Sequence, residues 1–336
     1  MRTELSATGV PCNPVIFVAL DEADRLTEGD RRRLAESAAA SDVALVGVGS
    51  DRPGAALQPL LDALAVTLVD TADPDLPCQC VGVADLPEAV TAIADRASAA
   101  PRASLVLARL LRLTDALDVA DGLIAESLAY STLLAGPEFA EWRRAHPRRE
   151  DPGPTAPAVI TRRDGDRLDV VLDRPERRNA YGKWMRDALV GALELAQADE
   201  TIRAVEISGA GADFCSGGDL DEFGTTPDVA TAHAIRTTRH AGRLLHQLAS
   251  RVTVRVHGAC VGAGIELPGF AGRIEAAPDA WFRLPELELG LVPGAGGTVS
   301  LPRRIGRWRT AWMALSGSRV DVDTARGWQL VDAVHE

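Results

Sequence analysis

The spacing of apolar positions along this chain changes character twice. Short apolar runs at 15–20 (VIFVAL), 43–48 and 66–69 read as buried strands. Between them, Thr27-Glu28-Gly29-Asp30 opens a helix to about residue 40, and a second helix covers 57–65. The proline-rich TADPDLPCQC that follows reads as a loop. From Leu86 the period lengthens. Residues 86–99, 101–112 and 115–134 carry the i, i+3, i+4 apolar spacing of long amphipathic helices. HPRREDPGPTAP (146–157) then breaks the pattern, as a proline-rich charged connector does. Beyond it, 159–161 and 168–172 flank Asp164-Gly165-Asp166 as a hairpin. A helix is expected over 184–197, a strand over 204–208 leading into FCSGGDL, and the strand–turn–helix succession repeats over 252–267. A last helix follows Asp323. The chain divides into an α/β and helical N-terminal region (1–146), a linker (147–157) and a second α/β region (158–336).

Composition narrows the class. With 46% apolar and 25% charged residues the 336-residue chain is globular in type, and its length suggests two domains. Aromatics at 4% leave the cores to Leu, Val, Ile and Ala. A net charge of −12 argues against general nucleic-acid binding but leaves room for an anionic cofactor at a local basic cluster. No apolar run reaches the ~20 residues of a membrane span, and the first residues lack the apolar centre of a signal peptide, so a cytoplasmic protein is expected. Cysteines 12, 78, 80, 215 and 260 are read as free thiols, and the lone C-x-C pair as no metal site.

The chemistry concentrates in 251–298. An alternating run over 252–256 feeds a turn rich in glycine, Gly258, Gly262 and Gly264, and then an apolar segment with Glu266 near its start. Such a turn leaves backbone N–H groups pointing outward at the positive end of a helix, which suits a carbonyl oxygen becoming an oxyanion. Glu286 follows Pro285, with PGAGGT just beyond. Glu266 and Glu286 are too far apart in sequence to share a helix face and can meet only if the chain returns on itself. The alternative for each is a solvated Glu at a helix start. Glu288 would face away from Glu286 if 286–288 is a strand.

This stretch resembles the crotonase, or enoyl-CoA hydratase/isomerase, superfamily. The likeness rests on four motifs in order: RPERRNA (174–180), FCSGGDL (214–220), the glycine turn ending in Glu266, and the Pro-Glu pair with PGAGGT. It covers roughly 157–336 and implies an α/β fold with a crotonase-like ββα spiral core, preceded by a smaller α/β and helical domain. It implies an acyl-CoA thioester enzyme, most simply one that hydrates a 2-enoyl-CoA. Glu266 would activate water, Glu286 would act as acid/base at the α-carbon, and the amides of Gly218 and Ala263 would form the oxyanion hole. Arg178, Ala180, Gly217, Asp219, Leu220 and Gly262 would contact substrate, with Arg174, Arg177 and Arg178 offering charge to phosphates. No metal and no permanently bound cofactor are implied, coenzyme A entering as part of the substrate. A homo-oligomer, a trimer or a multiple of three, is the expected partner state. Ala263 stands where Gly is commoner, and Pro268 stands where a small residue is usual, so a kink after Glu266 is expected. Arg255 reads as a satisfied edge charge and His257 as a turn residue. Isomerisation with one Glu, cofactor-independent oxygenation of an aryl-acetyl-CoA, and a non-catalytic partner subunit stay open as alternatives. The GPEFAEWRRAHPR segment is loosely similar to the linker region of a crotonase-like dioxygenase.

The N-terminal half, laid beside the second, reads as a shrunken copy lacking both glycine turns and both glutamates. Family members continue past the final LVD element into a helical tail, and 86–111 looks like such a tail placed ahead of the core. Any Ala/Leu/Arg-rich helical pair would read the same way. These helices are expected to dock on the catalytic region.

Overall fold

The computed structural model describes residues 2–335 except 72, 74, 151, 152 and 154. The chain opens with β1 (Val15–Ala19), α1 (Leu20–Asp24), α2 (Glu28–Ala39), β2 (Ala44–Gly49), α3 (Gln58–Ala63), β3 (Val66–Val69) and β4 (Cys80–Gly82). The four strands are parallel and lie in sequence order, β1-β2-β3-β4. Both faces of this sheet are covered. Leu45 and Val69 bury toward α3, whereas Val46, Val66 and Leu68 bury toward the main core, as the two-residue period of a strand requires. The expected loop at 71–80 gives way at its end to β4, three residues too short to show a period.

Four helices follow: α4 (Leu86–Ala99), α5 (Pro101–Asp115), α6 (Val119–Leu134) and α7 (Pro137–Ala145). Asp85 caps α4 by accepting from the Glu88 amide at 2.8 Å, and Asp118 caps α6 by accepting from Asp121 at 2.8 Å. The third expected helix, 115–134, is therefore shorter. Its first four residues belong to the end of α5 and a capping turn.

The second half contains β5 (Val159–Asp164), β6 (Arg167–Leu172), α8 (Lys183–Ala198), β7 (Ala204–Gly209), α9 (Val229–Thr238), α10 (Ala241–Gln247), β8 (Val252–Val256), β9 (Ala259–Val261) and α11 (Ala263–Glu266). β10 (Arg273–Ala276), β11 (Trp281–Arg283), α12 (Gly297–Ser316), β12 (Val320–Asp321), α13 (Val322–Gly327) and β13 (Ala333–Val334) complete it. A six-stranded sheet runs β13-β10-β8-β7-β6-β5, parallel apart from the β5–β6 hairpin. A smaller sheet, β12-β11-β9, lies where the chain steps off it. This is the mixed α/β spiral that the motifs imply. In both halves successive parallel strands add beside the previous one.

The two halves share one hydrophobic core. Val66 and Leu68 of β3, Leu107 and Leu111 of α5 and Val299, Leu301 and Met313 of α12 belong to the same buried cluster. Polar ties reinforce it. Thr114 Oγ1 donates to the Thr298 carbonyl at 2.6 Å, Arg309 Nη2 donates to Leu76 O at 3.1 Å, and Arg96 pairs with Glu288 at 2.7 Å. The N-terminal helices thus cover α12 within the same chain.

Arg255 corrects the sequence reading in one detail. It lies on β8, in the interior of the sheet, and pairs with Glu206 at 3.1 Å and Glu275 at 3.2 Å on the two flanking strands. A cross-strand ion ladder satisfies it, so no edge is needed.

Candidate active site

Two turns bring the glycine motifs together. FCSGGDL leaves β7 and runs beside β9, the Cys215 amide donating to Ala259 O at 3.1 Å and the Val261 amide to Cys215 O at 3.0 Å. The second turn passes from β9 through Gly262 into α11. Gly262 has φ 50 and ψ −120, a conformation costly for any residue with a side chain. A Cβ there would also lie 2.6 Å from Glu286 Oε1. Gly218 and Ala263 both front a cavity of about 320 Å³. Among the described residues, neither of their amides donates to a backbone carbonyl.

Glu266 and Glu286 face the same cavity. Oε1 of Glu286 and Oε1 of Glu266 lie 2.6 and 3.6 Å from the point where a Gly262 Cβ would stand, so the missing side chain is the space between them. Glu266 ends α11, and the chain passes at Pro268 into a short 3-10 turn, the break expected there. Its Oε2 accepts from the amides of Ala295 at 2.8 Å and Gly297 at 2.9 Å, both in the PGAGGT segment, which leaves Oε1 toward the cavity. Burial pushes the Glu266 carboxyl up to about 7 although these amides favour its ionised form. Glu286 opens a 3-10 turn, Glu286–Leu289, where a strand was considered. Burial, and then the Glu266 charge, hold its carboxyl well above the usual range, and its Oε2 is buried without a hydrogen-bond partner among the described residues. Glu288 does point elsewhere. It binds Arg96 and Arg283 outside the cavity.

A third carboxyl arrives from the N-terminal half. Glu126 of α6 is 1% exposed. Its Oε1 accepts from the Gly296 amide at 2.7 Å, and its Oε2 accepts from the Thr298 amide at 2.9 Å and the Thr298 hydroxyl at 2.7 Å. Four consecutive amides, 295 to 298, thus alternate between Glu266 and Glu126. Burial, then the neighbouring Glu266, pushes Glu126 up to about 8. One turn along α6, Tyr130 lines the cavity with the Arg236 guanidinium 4.7 Å over its ring. Neither Glu126 nor Tyr130 figured among the sequence candidates, yet a signal was present. Val119, Leu123, Glu126, Tyr130 and Leu133 form one buried helical stripe, and an acid within such a stripe marks a special environment.

The remaining candidates scatter. Asp219 lines the cavity, but its carboxylate is held by Arg177 Nη2 at 2.8 and 2.9 Å. Arg177 also reaches Asp221 at 3.1 Å, so its charge is engaged within the protein. Gly217, with φ 106, sets the first turn behind Gly218. Arg178 sits at φ 51 and donates to Asp213 at 2.7 Å from an exposed position. Arg178, Ala180 and Leu220 do not wall the cavity, and Leu220 is exposed. His257 reaches the Gly211 carbonyl at 3.0 Å, as a turn residue would. Trp142 and Arg143 of α7 stack at 4.7 Å, and Arg143 donates to the Leu220 and Phe223 carbonyls, clamping the segment after FCSGGDL. The five cysteines are free. Among the described residues no cluster of side chains could hold a metal, and no helix is long and apolar enough to cross a membrane.

The family model for enoyl-CoA hydratase/isomerase matches residues 168–336. Over 169 residues the chain is 34% identical to the 1,2-epoxyphenylacetyl-CoA isomerase of Escherichia coli K12, covering 49% of this chain and 64% of that protein. It is 34% identical to the 2,3-dehydroadipyl-CoA hydratase of the same organism, over 52% of this chain and 68% of the relative. The crystal structure of an enoyl-CoA hydratase from Thermoplasma volcanium superposes with a TM-score of 0.50 at 31% identity, covering 54% of this chain and 72% of that one. The likeness thus falls on the second half, and it spans a little under two thirds of the first of these relatives. On the fold, the ordered motifs and the family match together, the chain belongs to the enoyl-CoA hydratase/isomerase family.

Proposed function

We propose that this chain is an acyl-CoA thioester enzyme that adds water to a 2-enoyl-CoA, or removes it in the reverse direction. The observation that carries this reading is the pair of carboxyls of buried Glu266 and half-buried Glu286, whose near oxygens share the space above Gly262. Isomerisation can proceed with one carboxyl, whereas hydration uses two.

In this mechanism the thioester carbonyl lies against the amides of Gly218 and Ala263. Such donors stabilise the enolate oxygen most as it gains charge, typically by ~3 kcal/mol each. Ionised Glu266, steadied by Ala295 and Gly297, takes a proton from water as the water oxygen bonds to the β-carbon. The β-carbon's π electrons pass into the enolate, and Glu286 gives its proton to the α-carbon as the enolate collapses. Glu266 is then protonated and Glu286 ionised, and one proton returned between them restores the pair. The raised values suit this division, since a carboxyl that donates near neutral pH must hold its proton there. Coenzyme A is part of the substrate. Gly217, Asp219 and Gly262 shape the turns around the acyl group. We assign Arg178, Ala180 and Leu220, which lie outside the cavity walls, to the nucleotide portion.

Mass analysis after incubation with a panel of 2-enoyl-, 3-enoyl- and aryl-acetyl-CoA thioesters tests the proposal. A gain of one water on a 2-enoyl-CoA is the expected result. Conversion of a 3-enoyl-CoA without change of mass, or a gain of O₂ on an aryl-acetyl-CoA, with no hydration of any 2-enoyl-CoA, would replace it.

A further inference from the structure

Glu126 poses a physical problem that family membership does not answer. A carboxyl buried away from water is costly unless its oxygens are well bonded. Here all of its bonds go to one short segment, Gly296 and Thr298. That segment also holds Glu266, through the intervening amides of Ala295 and Gly297. The turn is therefore gripped from two sides, by α11 of the second half and by α6 of the first. Gly297 allows the close approach, since a Cβ there would lie 2.6 Å from Glu266 Cγ.

We propose that Glu126, delivered by the N-terminal half, is a positioning residue of the active site. By binding the amides that Glu266 leaves over, it fixes the turn on which Glu266 rests. The proposal rests on the hydratase reading for its kinetic consequence, but its geometric content is independent of the reaction. A backbone turn free to rotate would let Glu266 exchange its amide partners and swing its cavity oxygen, Oε1. A displacement of about 1 Å at a reacting group can cost ~10²-fold in rate. The two carboxyls also sense each other through the shared turn. Among the ionisable or charged groups lining the same cavity are Glu286 from its 3-10 turn, Tyr130 from α6, Arg236 and Arg239 at α9, His240 ahead of α10, Lys183 and Arg186 of α8, and Asp219 and Glu222. The Glu126 substitutions leave all of these in place.

The test compares full-length wild type with Glu126→Gln, Glu126→Asp and a control, Leu123→Ala. Leu123 is buried on the same helix face one turn away, and shortening it loosens the core while leaving every hydrogen bond of the turn in place. Three quantities are read: amide hydrogen exchange over 295–298, the titration of the Glu266 carboxyl followed by carbon-13 glutamate NMR and assigned with Glu266→Gln, and 2-enoyl-CoA turnover. In Glu126→Gln, exchange at 295–298 should speed up and the Glu266 titration should move to higher pH, because the Ala295 and Gly297 amides that favour its ionised form are held less firmly. Turnover should fall ~10- to 10²-fold in kcat with KM within about twofold. Glu126→Asp keeps a carboxyl but falls one methylene short of the amides, so it should move exchange and titration in the same directions as Glu126→Gln but by less. Leu123→Ala should lower the melting temperature and leave exchange at 295–298 and the titration unmoved. Wild-type exchange and titration in Glu126→Gln would overturn the proposal, as would the same changes appearing in Leu123→Ala. If wild type hydrates no 2-enoyl-CoA while exchange and titration respond as stated, the hydratase reading fails and the positioning role stands.

Discussion

Replacing either Glu266 or Glu286 by Gln should reduce hydration of a 2-enoyl-CoA by ~10² to 10⁴-fold, the usual loss for one acid–base group. Gln preserves volume, so CoA-ester binding should change little, and the deficit should appear in kcat more than in KM. The pH dependence separates the two roles. Glu266 must be ionised to accept a proton from water, and burial has raised it to about 7, so the rate should climb as pH rises through that region. Glu286 must be protonated to serve the α-carbon, and burial with the Glu266 charge holds it well above the usual range, so the rate should fall again once pH exceeds its value. The wild-type profile is therefore bell-shaped. Residual activity in Glu266→Gln should lose the acid limb, and in Glu286→Gln the alkaline limb. Wild-type rates in both variants would show that the paired carboxyls do not do the chemistry.

Separating the halves should have an effect of similar severity. A chain of residues 157–336 alone would expose the face of α12 that α4, α5 and α6 cover, including Val299, which a Gly122 Cβ would approach to 3.2 Å. Each large side chain returned to water costs ~1.5–3 kcal/mol, and a whole domain is stable by only ~5–15 kcal/mol. Arg303 would lose its bond to Leu117 O at 2.6 Å, and Arg307 its bond to Leu64 O at 3.0 Å. The turn at 295–298 would lose Glu126. The isolated second half should aggregate on expression, and residues 1–150 supplied as a separate chain should restore both solubility and turnover. Light scattering and an activity assay decide it. A fragment that is monomeric, folded and active would make the N-terminal half an ordinary appendage.

What the sequence made legible follows from the range of the forces involved. The helices α2, α4, α5 and α8 and the strands β1, β2, β3, β6, β7 and β8 announce themselves through local periodicity, whereas α12, broken by Pro302 and Gly306, carries no such stripe. Short elements escape that rule. α1, β4 and the 3-10 turn at Glu286 hold too few residues to establish a period, and tertiary contacts decide them. The paired glutamates were legible because their motifs keep a fixed order around glycine turns. Glu126 was not singled out, because its partners are backbone amides some 170 positions away, and nothing local states which amides a buried acid will meet. The arginines of RPERRNA show the same limit from the other side. The fold pairs Arg177 with Asp219 and Asp221, and Arg178 with Asp213, partners that no local feature of the sequence states.

Glu266 and Glu286 together are expected to add the elements of water across the double bond held at the Gly218 and Ala263 amides. Hydration of a 2-enoyl-CoA in water enriched in both oxygen-18 and deuterium tests this most directly, with wild type, Glu266→Gln and Glu286→Gln compared by mass spectrometry. One heavy oxygen at the β-carbon and one deuterium at the α-carbon are expected in the wild-type product, with both incorporations slowed together in each variant. Deuterium entering the α-carbon without solvent oxygen at the β-carbon, or full incorporation of both by the two variants at the wild-type rate, would contradict it.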